Sequence, residues 1–173
     1  MDLLQRYQSI RMILSDVDGV MTDGLVEYDN QGVETKRFHV RDGLGIKLWQ
    51  LSGGLFGLVT QRSSQIVKIR AGELGISLVR QGVIDKLATV RQIADEHRIG
   101  MENIAYIGDD LPDLPVMRSV GLSVAVADAA GELLESADVV THVAGGKGAV
   151  RDMIETILKN QGRWDALVQE YKG

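Results

Sequence analysis

The 173-residue chain contains no cysteine, which excludes disulfides, thiolate nucleophiles and thiolate metal sites. Only two prolines occur and no low-complexity run appears, so disorder is not expected outside the ends. No segment approaches the roughly 20 consecutive apolar residues of a membrane helix, and no membrane partner is expected. The opening stretch MDLLQRYQSIRMILSD is too interrupted by polar residues for a signal peptide, so a cytoplasmic location follows. A basic stripe is missing as well. The 19 Lys and Arg and 24 Asp and Glu are mixed along the chain, for a net charge of -5, which offers no track for a nucleic-acid backbone. What remains is a length that fits one domain, 1–173, with a substantial core.

Short apolar runs alternate with segments of helical period. This pattern predicts an α/β fold, a Rossmann-like doubly wound parallel sheet covered by helices on both faces. The strands are read at RMILSD, LFGLVT, SLVRQ, IAYIGD, LSVAV and DVVTH. Crossover helices are expected at DGLGIKLWQLSGG, from an Asp42 cap to Gly53, and at SSQIVKIRAGELG, from Ser63 to Gly75. Two more are expected at DKLATVRQIADEHRIG and GAVRDMIETILKN. Residues 24–40 break the alternation: two extended stretches flank the turn cluster Asp29-Asn30-Gln31-Gly32, which predicts a β-hairpin inserted after the first strand. The tail, 161–173, follows the last strand as a short helix or an ordered extension.

The first strand runs into ILSDVDGVMTDG, with Asp16, Asp18 and Asp23 inside eight residues. Like charges this close repel, and near a core they also lose hydration, so a cation or donors must compensate them. In open parallel sheets ligands bind beyond the carboxyl ends of the strands. Thr60 ends the second strand, Asp109, Asp110 and Asp113 follow the fourth, and Lys86 opens the helix after the third. Each feature has a bland reading by itself: a capped turn for the Asp-x-Asp, a backbone-bonded hydroxyl for Thr60, a solvated Lys86, a capped helix start for GDDLPD. Their common position at one sheet edge favours the other reading. Several carboxylates, a hydroxyl and an ammonium are what holding a hard divalent cation and a phosphate together requires.

DVDGVMTDG, then VT, then Lys86, then GDDLPD resembles the four-motif signature of the haloacid dehalogenase superfamily of phosphohydrolases. More narrowly, the hairpin segment, QGVIDKL, GDDLPDLPVM, VGLSVAVADA and AGGKGAVRD resemble, nearly end to end, its small capless branch typified by 3-deoxy-D-manno-octulosonate 8-phosphate phosphatase. The branch also includes phosphatases of nine-carbon ulosonate 9-phosphates and non-catalytic appended domains. The resemblance implies Asp16 as nucleophile, forming an aspartyl-phosphate, and Asp18 as the group that protonates the leaving sugar oxygen and later takes a proton from water. It implies Mg2+ held by Asp16, Asp109 and the main-chain carbonyl of Asp18, with Asp110 and Asp113 behind them. Thr60 and Lys86 would bond the phosphoryl oxygens. Asp18, His39, Val40, Arg41, Asp42, Gly43, Lys47, Arg62, Arg70 and Lys86 would bind the phosphorylated sugar acid.

A capless member has no lid of its own, and the resemblance implies a homotetramer in which a neighbour's hairpin and tail cover each site. Val26, Tyr28, Val33 and Phe38 are expected to provide the hairpin's apolar contact area, with Lys36 and Arg37 adding charge. Asp23 is read as a brace where the hairpin leaves the acidic loop, and Gly145 to Gly148 as a helix-start turn with Lys147 near the substrate. One departure stands out: Gln61 follows Thr60 where the family commonly has glycine, and a side chain there threatens to crowd the phosphate or to meet a backbone conformation suited to glycine. Besides a phosphatase, the residues leave open a non-catalytic tetramerisation module, against which the costly clustered acids argue. A phosphate-receiver signalling domain is also open, although its phosphorylated acid would be expected on a central strand rather than the first.

Overall fold

The computed structural model describes residues 2–172. A short helix α1 (Leu3–Ser9), capped by Asp2 and Gln5 in a reciprocal box, leads into β1 (Met12–Ser15). The hairpin strands β2 (Glu27–Tyr28) and β3 (Glu34–Thr35) follow. Next come α2 (Val40–Leu51), β4 (Leu55–Val59), α3 (Gln65–Glu73), β5 (Leu78–Arg80) and α4 (Lys86–His97). The second half adds β6 (Ile104–Gly108), α5 (Leu114–Met117), β7 (Leu122–Ala125), α6 (Gly131–Ser136), β8 (Val139–Val140), α7 (Ala149–Asn160) and α8 (Trp164–Gln169).

Six strands form one parallel sheet in the order β5-β4-β1-β6-β7-β8. All six coincide with the apolar runs read from the sequence, because strands covered on both faces are apolar throughout rather than alternating. β1 shows this: Met12, Ile13 and Leu14 are fully buried. The chain winds outward from β1 through β4 to β5, then returns to the other side of β1 and winds outward again from β6. The reversal of strand order lies beside β1, so the crevice at the carboxyl end of β1, between β4 and β6, is where such a sheet binds ligands. α2 packs against α7 with α1 and α8 near it, while α4, α5 and α6 pack together on the opposite side. No helix among the described residues is long and apolar enough to cross a membrane.

Several boundaries differ from the sequence reading. α2 begins at Val40, so the hairpin ends before residue 40, and its cap is His39, whose Nδ1 accepts from the Arg41 N–H at 3.2 Å. Asp42 does not cap α2. It is 1 % exposed inside the first turn, and its Oδ1 accepts from the Arg151 N–H at 2.8 Å, which joins the starts of α2 and α7. Ser64, not Ser63, caps α3. The hairpin turn follows the expectation, with Asp29 Oδ1 accepting from the N–H groups of Gln31 and Val33, both at 2.8 Å.

The hairpin does not present all of its expected contact residues outward. Val26 and Val33 are exposed and so is much of Tyr28, but Phe38 packs against the core and carries the Arg70 guanidinium at 5.8 Å from its ring centre. The Lys36 side chain is only 1 % exposed. Asp23 sits where a brace is expected: its carboxylate accepts from the Leu25 N–H at 3.3 Å and pairs with Arg37 at 2.8 Å across the hairpin base. Slight burial raises the Asp23 carboxyl, and the Leu25 N–H and Arg37 outweigh it, holding it below its ordinary value.

Candidate active site

Strand register builds the site. Ser15 pairs with Leu58 of β4 and Ile107 of β6, so the three chains leave the sheet together and deliver Asp16, Thr60 and Asp109 to one edge. Asp85 caps α4 by accepting from the Ala88 N–H at 2.9 Å, which sets Lys86 in the first turn, facing the same edge. Lys86 is 4 % exposed and bridges Asp16 Oδ2 at 2.8 Å and Asp113 Oδ1 at 2.5 Å. Burial alone would lower its ammonium; the two carboxylates outweigh burial and hold it above the ordinary lysine value.

Asp113 is completely buried and fully engaged. Its Oδ1 also accepts the Tyr106 hydroxyl at 2.6 Å, and its Oδ2 accepts from the Asp109 N–H at 3.1 Å and the Asp110 N–H at 3.5 Å. It therefore orients Lys86 and the Asp109 backbone and has little left to give a ligand. Asp110 is exposed at the edge of the same pocket, its Oδ1 accepting from the Leu111 N–H at 2.8 Å to cap the short turn Leu111–Asp113.

Oxygens of Asp16, Asp109 and Asp113 lie within 4.8 Å of one another. Burial lifts the Asp16 carboxyl to about 6, aided by Asp113 and opposed by Lys86. Burial likewise lifts Asp109 to about 7, with Asp16 and Asp113 adding to it. Two of the three acids thus carry charge at a cost that the protein's own groups leave partly uncompensated. Gly19 bends the chain around this point with φ of +88°, and a Cβ there would run into the Asp109 carboxylate. An all-oxygen donor set, clustered carboxylates in need of charge and a cradle without a side chain fit an oxygen-seeking divalent cation. The turn at Gly145 closes the cradle from outside, close enough that a Cβ would strike the Gly19 carbonyl.

A pocket of about 160 Å³ opens onto the cluster, lined by Asp16, Asp18, Thr60, Arg62, Lys86 and Asp109 among others. Gln61 stands at its mouth, exposed and with a negative φ, so the feared glycine-only conformation does not arise. Asp18 faces the hairpin. Its Oδ1 pairs with Lys36, while Oδ2 is buried without a hydrogen bond, 3.8 Å from Arg62 Nε. The sequence reading missed Lys36 and Glu34 as neighbours of this acid, because Glu34 to Phe38 carries no polar–apolar alternation and the inward face is set by how the ribbon lies on Asp18.

Arg62 and Lys86 are the sugar-binding candidates, besides Asp18, that reach this pocket. His39, Val40, Arg41, Asp42, Gly43, Lys47 and Arg70 do not line it. They form a second group around the start of α2. Arg70 crosses in front of Gly43 and Phe38, Val40 is 81 % exposed, and Lys47 borders a separate groove with Leu51 and Leu74. In this group the Asp42 Oδ2 and Arg70 Nε are buried without partners. Burial pushes Asp42 up to about 6, against the Arg151 N–H, His39 and Arg70. Lys147 is exposed.

The sheet, the acid at the end of its first strand and the lysine opposite define a phosphohydrolase-type site, and the family model for haloacid dehalogenase-like hydrolases matches residues 55–154. The chain belongs to that family. It is 44 % identical over 95 % of its length to the 3-deoxy-D-manno-octulosonate 8-phosphate phosphatase of Escherichia coli strain K12, of which it covers 87 %. The Yersinia pestis phosphatase of the same name is 46 % identical over 94 % of this chain and 87 % of the relative. Among solved structures, that of the Moraxella catarrhalis phosphatase of this name, in complex with magnesium ion, phosphate ion and KDO, superimposes with a TM-score of 0.95. It is 40 % identical, and the match covers 97 % of both chains.

Proposed function

We propose that this chain, as a single domain over 1–173, is a Mg2+-dependent phosphatase that hydrolyses 3-deoxy-D-manno-octulosonate 8-phosphate to the free sugar acid and phosphate, a reaction that serves lipopolysaccharide biosynthesis. The observation that carries the reading is the Asp16 carboxylate, held 2.8 Å from Lys86 at the carboxyl end of β1 with Asp109 beside it. The likeness to phosphatases of this substrate along nearly the whole chain supports the choice of sugar.

Asp16, Asp109 and the Asp18 carbonyl would hold Mg2+, which when bound supplies positive charge to the carboxylates and the phosphoryl oxygens. An Asp16 oxygen attacks phosphorus, forming the Oδ–P bond as the P–O bond to the sugar breaks. Asp16 Oδ1 accepts from the Val17 N–H at 2.7 Å and Oδ2 from Lys86, so the carboxylate is aimed before substrate arrives. Asp18 gives its proton to the departing sugar oxygen. In the second half Asp18 takes a proton from the water that attacks phosphorus, and Asp16 is released with phosphate. Thr60 and Lys86 hold the phosphoryl oxygens during both transfers.

We further infer a cytoplasmic homotetramer. The exposed Leu25, Val26, Tyr28 and Val33 give the hairpin an apolar outer face, and a two-stranded ribbon is marginal alone in water. His39, Val40, Arg41, Lys47 and Arg70, which miss the pocket of their own chain, would serve a neighbour's site, as would the tail, residues 161–173, while the buried Asp42 and Gly43 would fix the start of α2 that presents them. Measuring kcat/KM with Mg2+ on the eight-carbon 8-phosphate and a nine-carbon 9-phosphate tests the reading. The eight-carbon substrate is expected to be preferred and Asp16→Asn to release no phosphate. Silence on both substrates, or release by Asp16→Asn at the wild-type rate, would overturn it.

A further inference from the structure

The catalytic pocket, at about 160 Å³, has room for a phosphoryl group, a cation and a few waters at roughly 30 Å³ each. In-line attack by Asp16 sends the leaving group away from that acid, past the Asp18 and Arg62 that also line the pocket. The chain's own hairpin lies across that exit. Along residues 34–38, Glu34, Lys36 and Phe38 turn inward while Thr35 and Arg37 are exposed, the two-residue period of an extended strand.

The inward residues form one network. Lys36 pairs with Asp18 Oδ1, and its Nζ lies 3.3 Å from Glu34 Oε1. The same Glu34 oxygen accepts from Arg62 Nη2 at 2.7 Å, and that nitrogen also donates to the Tyr28 hydroxyl at 3.1 Å. Among the described residues, Lys36 and Arg62 are the cations within 4.0 Å of the Asp18 carboxylate. Lys86 is taken up by Asp16 and Asp113.

A buried ammonium is expensive, and an apolar side chain at 36 would hold a hairpin at lower cost. Its partner is the acid that has to turn to the leaving oxygen. That oxygen comes within about 3 Å of Asp18, so Lys36 lies only about 6 Å from it, one hydrogen bond further out along the exit.

We propose that Lys36 is a substrate-recognition residue of its own chain's site, receiving an anionic or hydroxyl oxygen of the acidic leaving group, and that Glu34 is a positioning residue holding Lys36 and Arg62 side by side. Lys36 exchanges Asp18 for the substrate, which places the ammonium on the sugar acid and frees the Asp18 carboxylate to take a proton from solvent and carry it to the bridging oxygen. The proposal rests on the phosphatase reading above and deepens it by assigning leaving-group selection to the inner face of the hairpin.

The test compares octulosonate 8-phosphate with p-nitrophenyl phosphate, whose leaving group has no carboxylate or polyol, on wild type, Lys36→Met, Lys36→Arg and Glu34→Gln with Mg2+. Losing one charge-assisted bond is expected to raise the KM of Lys36→Met for the sugar acid about tenfold or more, with kcat falling less than KM rises. The loss in kcat/KM should be at least about tenfold larger on the sugar acid than on p-nitrophenyl phosphate, since only the former offers Lys36 a partner. Lys36→Arg should restore most of it, and Glu34→Gln should raise KM in the same sense. Glu34→Gln keeps the question answerable if Lys36→Met does not fold. Equal losses on both substrates would mean that Lys36 only props the site, and no loss on either would mean that it is idle; each overturns the proposal. Wild type inert on both substrates would instead sink the phosphatase reading and this inference with it.

Discussion

Replacing Asp109 with asparagine should make the protein more stable and inactive at once. Asp109 sits with Asp16 and Asp113, and burial with their charges raises its carboxyl from the ordinary 3.8 to about 7. At about 1.4 kcal/mol per unit, the ionised form costs at most about 4 kcal/mol; partial exposure reduces this, and we take about 2 kcal/mol. Because the folded value is raised, the carboxyl favours the fold only while protonated. That contribution is complete below 3.8 and is lost as pH rises through about 7. Without divalent cations, Asp109→Asn should therefore match wild type near the acid end and exceed it at pH 7.5 by about 2 kcal/mol, or roughly 4–8 °C in Tm. Saturating Mg2+ should close the gap by stabilising only wild type, by about 2.7 kcal/mol at a hundred times Kd. The assay is thermal unfolding with chelator and with Mg2+ at both ends of the pH range, beside phosphate release. Asp109→Asn less stable than wild type at pH 7.5 in chelator would refute the claim that this carboxylate is a cost borne for a cation.

Lys86→Met removes the ammonium between two buried carboxylates, and urea unfolding should show a loss of about 3–5 kcal/mol together with abolished phosphate release. Asp42→Asn should flatten the pH dependence of stability. The wild-type Asp42 carboxyl, raised from 3.8 to about 6, loses its contribution as pH rises through that value, and at pH 8 the variant should gain up to about 3 kcal/mol in urea unfolding. If Arg70 serves a neighbour's site, mixing inactive Asp16→Asn with impaired Arg70→Ala under subunit exchange should restore part of the activity, whereas a self-contained site gives no recovery.

The sheet was legible because its strands are buried on both faces and need only an unbroken apolar run. The site edge was legible for a related reason: Asp16, Thr60 and Asp109 each follow such a run, and parallel register brings the strand ends together. Roles that depend on distant partners were not. Asp42 has the look of a helix cap, yet it accepts an N–H from Arg151, more than a hundred residues away. Lys36 and Phe38 read as outward contact residues, and their inward turn follows from how the ribbon lies on Asp18 and Arg70. Neither α1, in a polar-interrupted stretch, nor α6, only six residues long, has enough helical period to be read. Gln61 raised a backbone concern that its ordinary φ removes.

The central claim is that Asp16 becomes phosphorylated. An aspartyl-phosphate is an acyl phosphate, which borohydride reduces so that the aspartate becomes homoserine. Protein quenched into borohydride during turnover of octulosonate 8-phosphate with Mg2+ should yield homoserine at position 16, and none when substrate or Mg2+ is left out. Phosphate release at full rate with an unreduced Asp16, or with homoserine at Asp18 instead, would contradict the account.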